Sequence, residues 1–157
     1  LVQSTLFAMS PQPFYRWRAF LLRLFGAEIG QNVILRPSMR VTYPWKIKIG
    51  DNAWIGDRAE LYSLLEIEIG EDTCISQDCY ICTGSHDFRD PEFPYDCRPV
   101  LIGDQCWLAA GCFVGPGVTI GSETVVGARS LVLTDLEENS IYAGHPAKRR
   151  GPRSIPS

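Results

Sequence analysis

The sequence predicts an all-β fold, a parallel β-helix of about five triangular turns, with a short helix at one end. Three observations predict it. Every sixth residue from Ile102 to Val132 is aliphatic: Ile102, Leu108, Val114, Ile120, Val126 and Val132. A helix repeats near 3.6 and a strand at 2, so a period of six marks short strands joined by regular corners. Small residues follow the first five of these (Gly103, Ala109, Gly115, Gly121, Gly127), and compact ones sit four positions on (Cys106, Cys112, Val118, Thr124, Ser130). The same frame recurs upstream, so that three columns align: Ile29, Ile49, Ile69, Ile102, Ile120, then Leu35, Ile55, Ile75, Leu108, Val126, then Val41, Leu61, Ile81, Val114, Val132. Stacked turns bring each column into register at a strand spacing of roughly 4.8 Å.

The whole chain, 1–157, reads as one domain with three parts. These are a lead-in and capping helix (1–28), the repeats (29–136), and a C-terminal strand with a basic tail (137–157). Residues 1–13 read as irregular, with Ser10-Pro11-Gln12-Pro13. Phe14 to Phe25 reads as helical, with Phe14, Trp17, Phe20, Leu21, Leu24 and Phe25 on one face and Arg16, Arg18 and Arg23 off it. Gly26 is placed to end it. The apolar face either covers the open end of the solenoid or lies on a membrane surface. Extra residues fall at two corners, near Trp45–Lys48 and Leu65–Glu68. A longer excursion, 87–101, interrupts the frame between turns three and four. A loop of that length in a tightly counted fold points to function. Its aromatics and prolines (Phe88, Pro91, Phe93, Pro94, Tyr95) suit a mobile arm lying across a neighbour or a substrate. The tail Lys148-Arg149-Arg150-Gly151-Pro152-Arg153 is expected to fray, as a phosphate partner or a solvated end.

Composition narrows the chemistry. A net charge of −3 with scattered signs gives no nucleic-acid footprint. There is no apolar run long enough for a membrane span and no visible signal peptide; the start at Leu1 rather than Met leaves room for residues ahead of it. Six cysteines lack zinc-ribbon or disulfide spacing. They read as small buried fillers in a reducing cytosol, with Cys79 and Cys112 stacked as free thiols. Two histidines, His86 and His145, cannot make a three-histidine metal site, and no metal is expected. The glycines turn corners and make no phosphate cradle. His86 points outward where the excursion leaves, beside Asp87, with Ile81 and Ser85 pointing in. A near-neutral imidazole there can take a proton from a hydroxyl, its tautomer fixed by a carboxylate or carbonyl; otherwise it is an ordinary surface histidine. His145 reads as structural. Trp107 faces outward, either to stack a sugar and line a ligand channel or to serve an interface.

Several segments then resemble a known family. They are Tyr43-Pro44-Trp45-Lys46 leading into Ile49-Gly50-Asp51-Asn52-Ala53-Trp54-Ile55-Gly56, then Ile75-Ser76-Gln77, Cys82-Thr83-Gly84-Ser85-His86-Asp87, Gly117-Val118-Thr119-Ile120-Gly121 and Ala143-Gly144-His145-Pro146-Ala147-Lys148. Together they resemble the left-handed β-helix, hexapeptide-repeat acetyltransferases. The likeness is to the colanic-acid-type exopolysaccharide enzymes and the galactoside, maltose and nodulation-factor O-acetyltransferases. The resemblance implies a cytoplasmic homotrimer, at the inner face of a membrane if residues 14–25 touch one, with active sites between neighbouring solenoids. It implies acetyl-CoA as co-substrate and His86 as general base for direct attack by an acceptor hydroxyl on a saccharide or sugar-lipid. Trp107 matches a residue near both acceptor and pantetheine. Ala110 and Ala128 match small positions lining the coenzyme channel. Lys148 matches a basic residue near the coenzyme phosphates, with Arg149 and Arg150 close by. Asp87, Asp57 and Arg58 complete the expected acceptor site; the last two stand where the family carries a polar amide. His145 replaces a usual asparagine. N-acetylation of an amino sugar and a non-catalytic scaffold are the alternative readings.

Overall fold

The computed structural model describes residues 6–154; the first five residues of the expected lead-in and the last three of the tail lie outside it. One helix, α1 (Tyr15–Leu24), precedes the strands. Turn one is β1 (Glu28–Ile29), β2 (Ile34–Leu35) and β3 (Arg40–Val41); turn two is β4 (Ile47–Ile49), β5 (Trp54–Ile55) and β6 (Glu60–Tyr62). Turn three is β7 (Ile67–Ile69), β8 (Cys74–Ile75) and β9 (Tyr80–Cys82). Turn four is β10 (Val100–Ile102), β11 (Trp107–Leu108) and β12 (Phe113–Val114). Turn five is β13 (Thr119–Ile120), β14 (Val125–Val126) and β15 (Leu131–Val132). β16 (Ser140–Ala143) and β17 (Lys148–Pro152) close the chain. Corresponding strands pair in parallel, giving three sheets, β1-β4-β7-β10-β13, β2-β5-β8-β11-β14-β16-β17 and β3-β6-β9-β12-β15. This is the left-handed parallel β-helix of the hexad frame, and the aligned columns are its paired registers, as in Ile55↔Ile75 and Leu108↔Val126.

Alternation sends one side chain of each short strand inward. Ile55, Leu61, Ile75, Ile81, Leu108 and Val114 are fully buried, each contributing roughly 1.5–3 kcal/mol by burial. Corners bend through single residues in the left-handed region. Asn32, Asn52, Asp72, Gln105, Glu123 and Asn139 hold one corner and Arg58, Asp78, Gly111 and Arg129 the next. Short polar side chains tolerate that conformation best, which explains the first corner. The corner glycines serve close approach between turns: a Cβ on Gly50 would lie 2.6 Å from the Glu71 nitrogen.

The frame runs beyond the expected five turns. Leu136 bridges Ile120, and β16 pairs in parallel with β14, so a partial sixth turn follows. The basic tail does not fray at 148–152. It folds back as β17, antiparallel to β16. Within the third hexad, Thr83 takes the buried position expected of Ser85, which is only half-buried.

The cysteines are free thiols among the described residues. Cys79 and Cys112 are neighbours in the core; their mutual hydrogen bond, with burial, pushes the Cys79 thiol far up. A protonated, buried thiol is a poor nucleophile, so these are packing residues.

The helix corrects the sequence reading. It covers turn one, packing on β1 and β2, but of the expected face only Leu21 turns inward. Ala19, Leu21 and Leu22 are buried, whereas Phe14, Trp17, Phe20, Leu24 and Phe25 remain exposed, and Arg18 is fully buried. The reason is polar. Turn one has no preceding turn to take its carbonyls, and an edge strand needs hydrogen-bond partners. Arg18 Nε donates to Leu35 O at 2.6 Å, and its other nitrogens reach Ser10 Oγ, Pro11 O and Gln12 O. Arg23 donates to Ile29 O and Gly30 O. Gly26, at φ +89°, ends the helix as expected. No described helix is long and apolar enough to cross a membrane.

Replacing Arg18 with Ala should cost about 3 kcal/mol, because the buried Leu35 carbonyl and the part-buried Pro11 and Gln12 carbonyls lose a charged donor. Urea denaturation at fixed protein concentration measures it. A loss under about 0.5 kcal/mol would show that the guanidinium does not hold the cap.

Candidate active site

After β9 the chain leaves the solenoid and returns as a hairpin. Thr83 anchors its base, its buried hydroxyl donating to Tyr62 O while accepting from Leu65 N. Arg98 N donates to Thr83 O, Asp96 N to Ser85 O and Asp87 N to Pro94 O, each at 2.9 Å. Asp87 Oδ1 accepts from Arg89 N, Asp90 Oδ1 from Glu92 N, and Asp90 O from Phe93 N. The excursion is therefore hydrogen-bonded along its length rather than the mobile arm its composition suggests. Asp and Asn side chains that bond their own backbone two residues on make such turns, and Asp87 is occupied in that way.

This hairpin orients His86. The exposed imidazole places Nδ1 2.5 Å from Phe93 O. A carbonyl only accepts, so Nδ1 carries a proton and, in the neutral imidazole, Nε2 carries the lone pair. Phe93 holds φ +48°, unusual for an aromatic residue and costing about 1–2 kcal/mol. Such strain persists where a carbonyl must be aimed. Tyr95 pairs with His86 across the hairpin, its ring centroid 4.8 Å away, and limits rotation of the imidazole. Neither Phe93 nor Tyr95 is legible as a partner in the sequence, because their reach depends on the hairpin register.

The expected coenzyme residues gather elsewhere. Two positions past each inward residue of the second sheet lie Asp57, Gln77, Ala110, Ala128 and Gly144, one above another. Arg129 N donates to Ala110 O, Gly111 N to Gln77 O and Asp78 N to Asp57 O along this corner. Ala110 and Ala128 leave it open midway. At its far end β17 carries a bulge beside Arg150, and bulges re-aim side chains. Arg150 Nη2 donates to Ala143 O and lies beside Gly144. Arg149 turns the other way, to Ser140 Oγ at 3.2 Å and Glu137 at 3.7 Å. Lys148 is exposed. Arg129, exposed next to Ala128, is a further cation at this corner that sequence reasoning passed over; its only signal was its position directly after Ala128.

At the opposite end Asp57 accepts from Ser38 Oγ and Arg36 Nε, at 2.7 and 2.8 Å. Those two bonds hold its carboxyl below the usual range. Arg58 forms a two-point pair with Asp78 at 2.7 Å. Trp107 stands outward on β11 and donates Nε1–H to Ser76 Oγ at 3.0 Å. Trp107, Asp57, Arg58, Ala110, Ala128 and Arg150 thus share the second sheet and the corner after it. His86 does not join them: it follows the third sheet, at another corner of the same triangle. No group of three or more potential metal ligands occurs among the described residues.

A parallel β-helix with an outward histidine on a rigid hairpin and an alanine-lined corner defines a class of acyl-transfer enzymes. Residues 99–134 match the family described as bacterial transferase hexapeptide (six repeats). The chain belongs to these hexapeptide-repeat acetyltransferases. It is 58% identical over 146 residues to the putative colanic acid biosynthesis acetyltransferase WcaF of Escherichia coli (strain K12), covering 93% of this chain and 80% of that one. It is 29% identical over 135 residues to the galactoside O-acetyltransferase of the same strain, covering 83% and 66%. Among solved structures, the hexapeptide-repeat acetyltransferase VCA0836 of Vibrio cholerae, complexed with acetyl coenzyme A, superposes with a TM-score of 0.87 at 25% identity, covering 95% of this chain and 82% of that one.

The His86 tautomer is directly measurable. Nitrogen NMR of imidazole-labelled protein, above the histidine titration, should show Nδ1 protonated and Nε2 bare. The reverse assignment would contradict the Phe93 contact.

Proposed function

We propose that this acetyltransferase moves the acetyl group of acetyl-CoA onto a saccharide hydroxyl in exopolysaccharide synthesis, with His86 as general base. The observation that carries the reading is the Phe93 carbonyl on Nδ1, which leaves Nε2 as a proton acceptor at an exposed edge. The names of the relatives, a colanic acid enzyme and a galactoside O-acetyltransferase, support a sugar hydroxyl as acceptor.

Nε2 takes the hydroxyl proton as the oxygen attacks the thioester carbonyl carbon. The carbon–sulfur bond then breaks, and the leaving thiolate takes the proton back from the imidazolium. The sugar gains an ester and CoA leaves as a thiol. The open corner at Ala110 and Ala128 fits an extended pantetheine arm, since larger side chains would fill it. Arg150, Arg129 and Lys148 supply cations for the coenzyme's phosphates at the far end; Arg149, turned to Glu137, takes no part. Trp107 lies between that corner and the acceptor. Asp57 and Arg58, each engaged within the chain, shape the acceptor end through their outer faces, and Asp87 does so from the hairpin.

One solenoid keeps His86 and the coenzyme corner apart. The reading therefore includes a homotrimer in which the histidine of one protomer faces the corner of its neighbour, and closed cyclic symmetry repeats the site three times.

His86→Ala should lower kcat about 10²–10⁴-fold, the usual share of general-base catalysis, with CoA affinity kept. Thiol release with a saccharide acceptor measures it, and activity within a few-fold of wild type would sink the role.

Ala128→Trp should raise the Kd for CoA at least tenfold in calorimetric titration, and Arg150→Ala should weaken binding more than Arg149→Ala. An unchanged Kd in the first variant, or the reverse order in the second pair, would remove the corner as the coenzyme site.

A further inference from the structure

The outer wall of the second sheet carries one side chain per turn. In turns two to four these are Trp54, Cys74 and Trp107, paired in register. The two indoles are 47% and 49% exposed. Their backbones lie two strand spacings apart, about 9.6 Å, with the half-buried Cys74 on the strand between them. A cavity of about 390 Å³ opens beside Trp54 along turns one to three, bounded by Trp54, Cys74 and Ser76 and by Arg36, Asp57 and Gln77 at the corner. Trp107 lies outside this lining; its indole leans onto turn three, where Nε1 donates to Ser76 Oγ.

The chemistry of the lining is specific. An indole face packs against the C–H face of a pyranose at carbon contacts near 4 Å, and Trp54 offers one in the cavity wall. The rim cations are neutralised inside the chain, Arg36 by Asp57 and Arg58 by Asp78, so the cleft suits a neutral polyol rather than a phosphate. Ser76 accepts from Trp107 and is also hydrogen-bonded to the Cys74 sulfur, while the exposed Gln77 amide offers both donor and acceptor groups. The cleft also adjoins the corner of Ala110 and Ala128, one turn away.

We infer that the cleft beside Trp54 and Cys74 binds a neutral sugar unit next to the one acetylated, so that the acceptor is an oligosaccharide rather than a free monosaccharide. This rests on the saccharide-acceptor reading above. It gives Trp54, otherwise an exposed aromatic with no role, the task of selecting acceptor length.

Wild type, Trp54→Ala and Cys74→Phe are compared on an array of neutral bacterial oligosaccharides and their component monosaccharides. The Kd for CoA is measured on the same preparations. Wild type should bind oligosaccharides at least tenfold more tightly than monosaccharides. Both variants should lose that margin while the Kd for CoA stays within twofold. Cys74→Phe fills the cleft and keeps both indoles, so the two variants share no defect except the cleft. No saccharide binding by wild type, or a margin that survives both variants, overturns the inference. Oligosaccharide binding lost in both variants, but without acetyl transfer to any sugar, would instead leave the cleft standing and defeat the proposed reaction.

Discussion

The structure depends on the backbone hydrogen bonding between successive turns. Each strand is only two or three residues long inside the solenoid, so no strand pair is stable alone. Stability comes from stacking, in which every turn offers its neighbour the same carbonyls and amides at the same positions. That holds only if each side keeps its residue count, each inward residue is aliphatic, and each corner bends through the left-handed region. The frame is therefore strict where turns stack and loose where they end.

Both ends show what happens when the next turn is missing. At the start, the carbonyls of turn one are met by guanidinium groups, and the need to place Arg18 and Arg23 there sets how α1 is rotated. Apolar burial by Phe14, Trp17 and Phe20 gives way because an unmet buried carbonyl costs more than an exposed aromatic ring. At the other end, β17 folds back on β16 and covers the last edge with a basic strand. The bulge in that strand separates the fates of two adjacent arginines.

The chemistry sits where the frame is interrupted. The hairpin after β9 replaces solenoid contacts with its own hydrogen bonds, including two aspartate turns, and so holds His86 against the Phe93 carbonyl. The corner proposed for the coenzyme arises differently: small residues recur at one position in consecutive turns, and stacking lines them up. Registry converts a sequence interval of 18 residues into a contact of neighbouring rungs, which is how Ala110 and Ala128 become one surface.

Much of this was legible in the sequence. The columns headed by Ile29, Leu35 and Val41 fix which residues pair, because a period of six has one stacking solution. The outward positions of His86 and Trp107 follow from the same count, as does the burial of Cys79 and Cys112, whereas Ala110 and Ala128 were singled out by the resemblance alone. What the count cannot reach lies off the frame. The orientation of α1, the order of the 87–101 excursion, the Phe93 carbonyl on His86, the opposite headings of Arg149 and Arg150, and the cleft beside Trp54 were decided only by tertiary structure. In each case the deciding contact joins an irregular segment to a specific backbone group or neighbouring turn, and no periodic pattern encodes which group that will be.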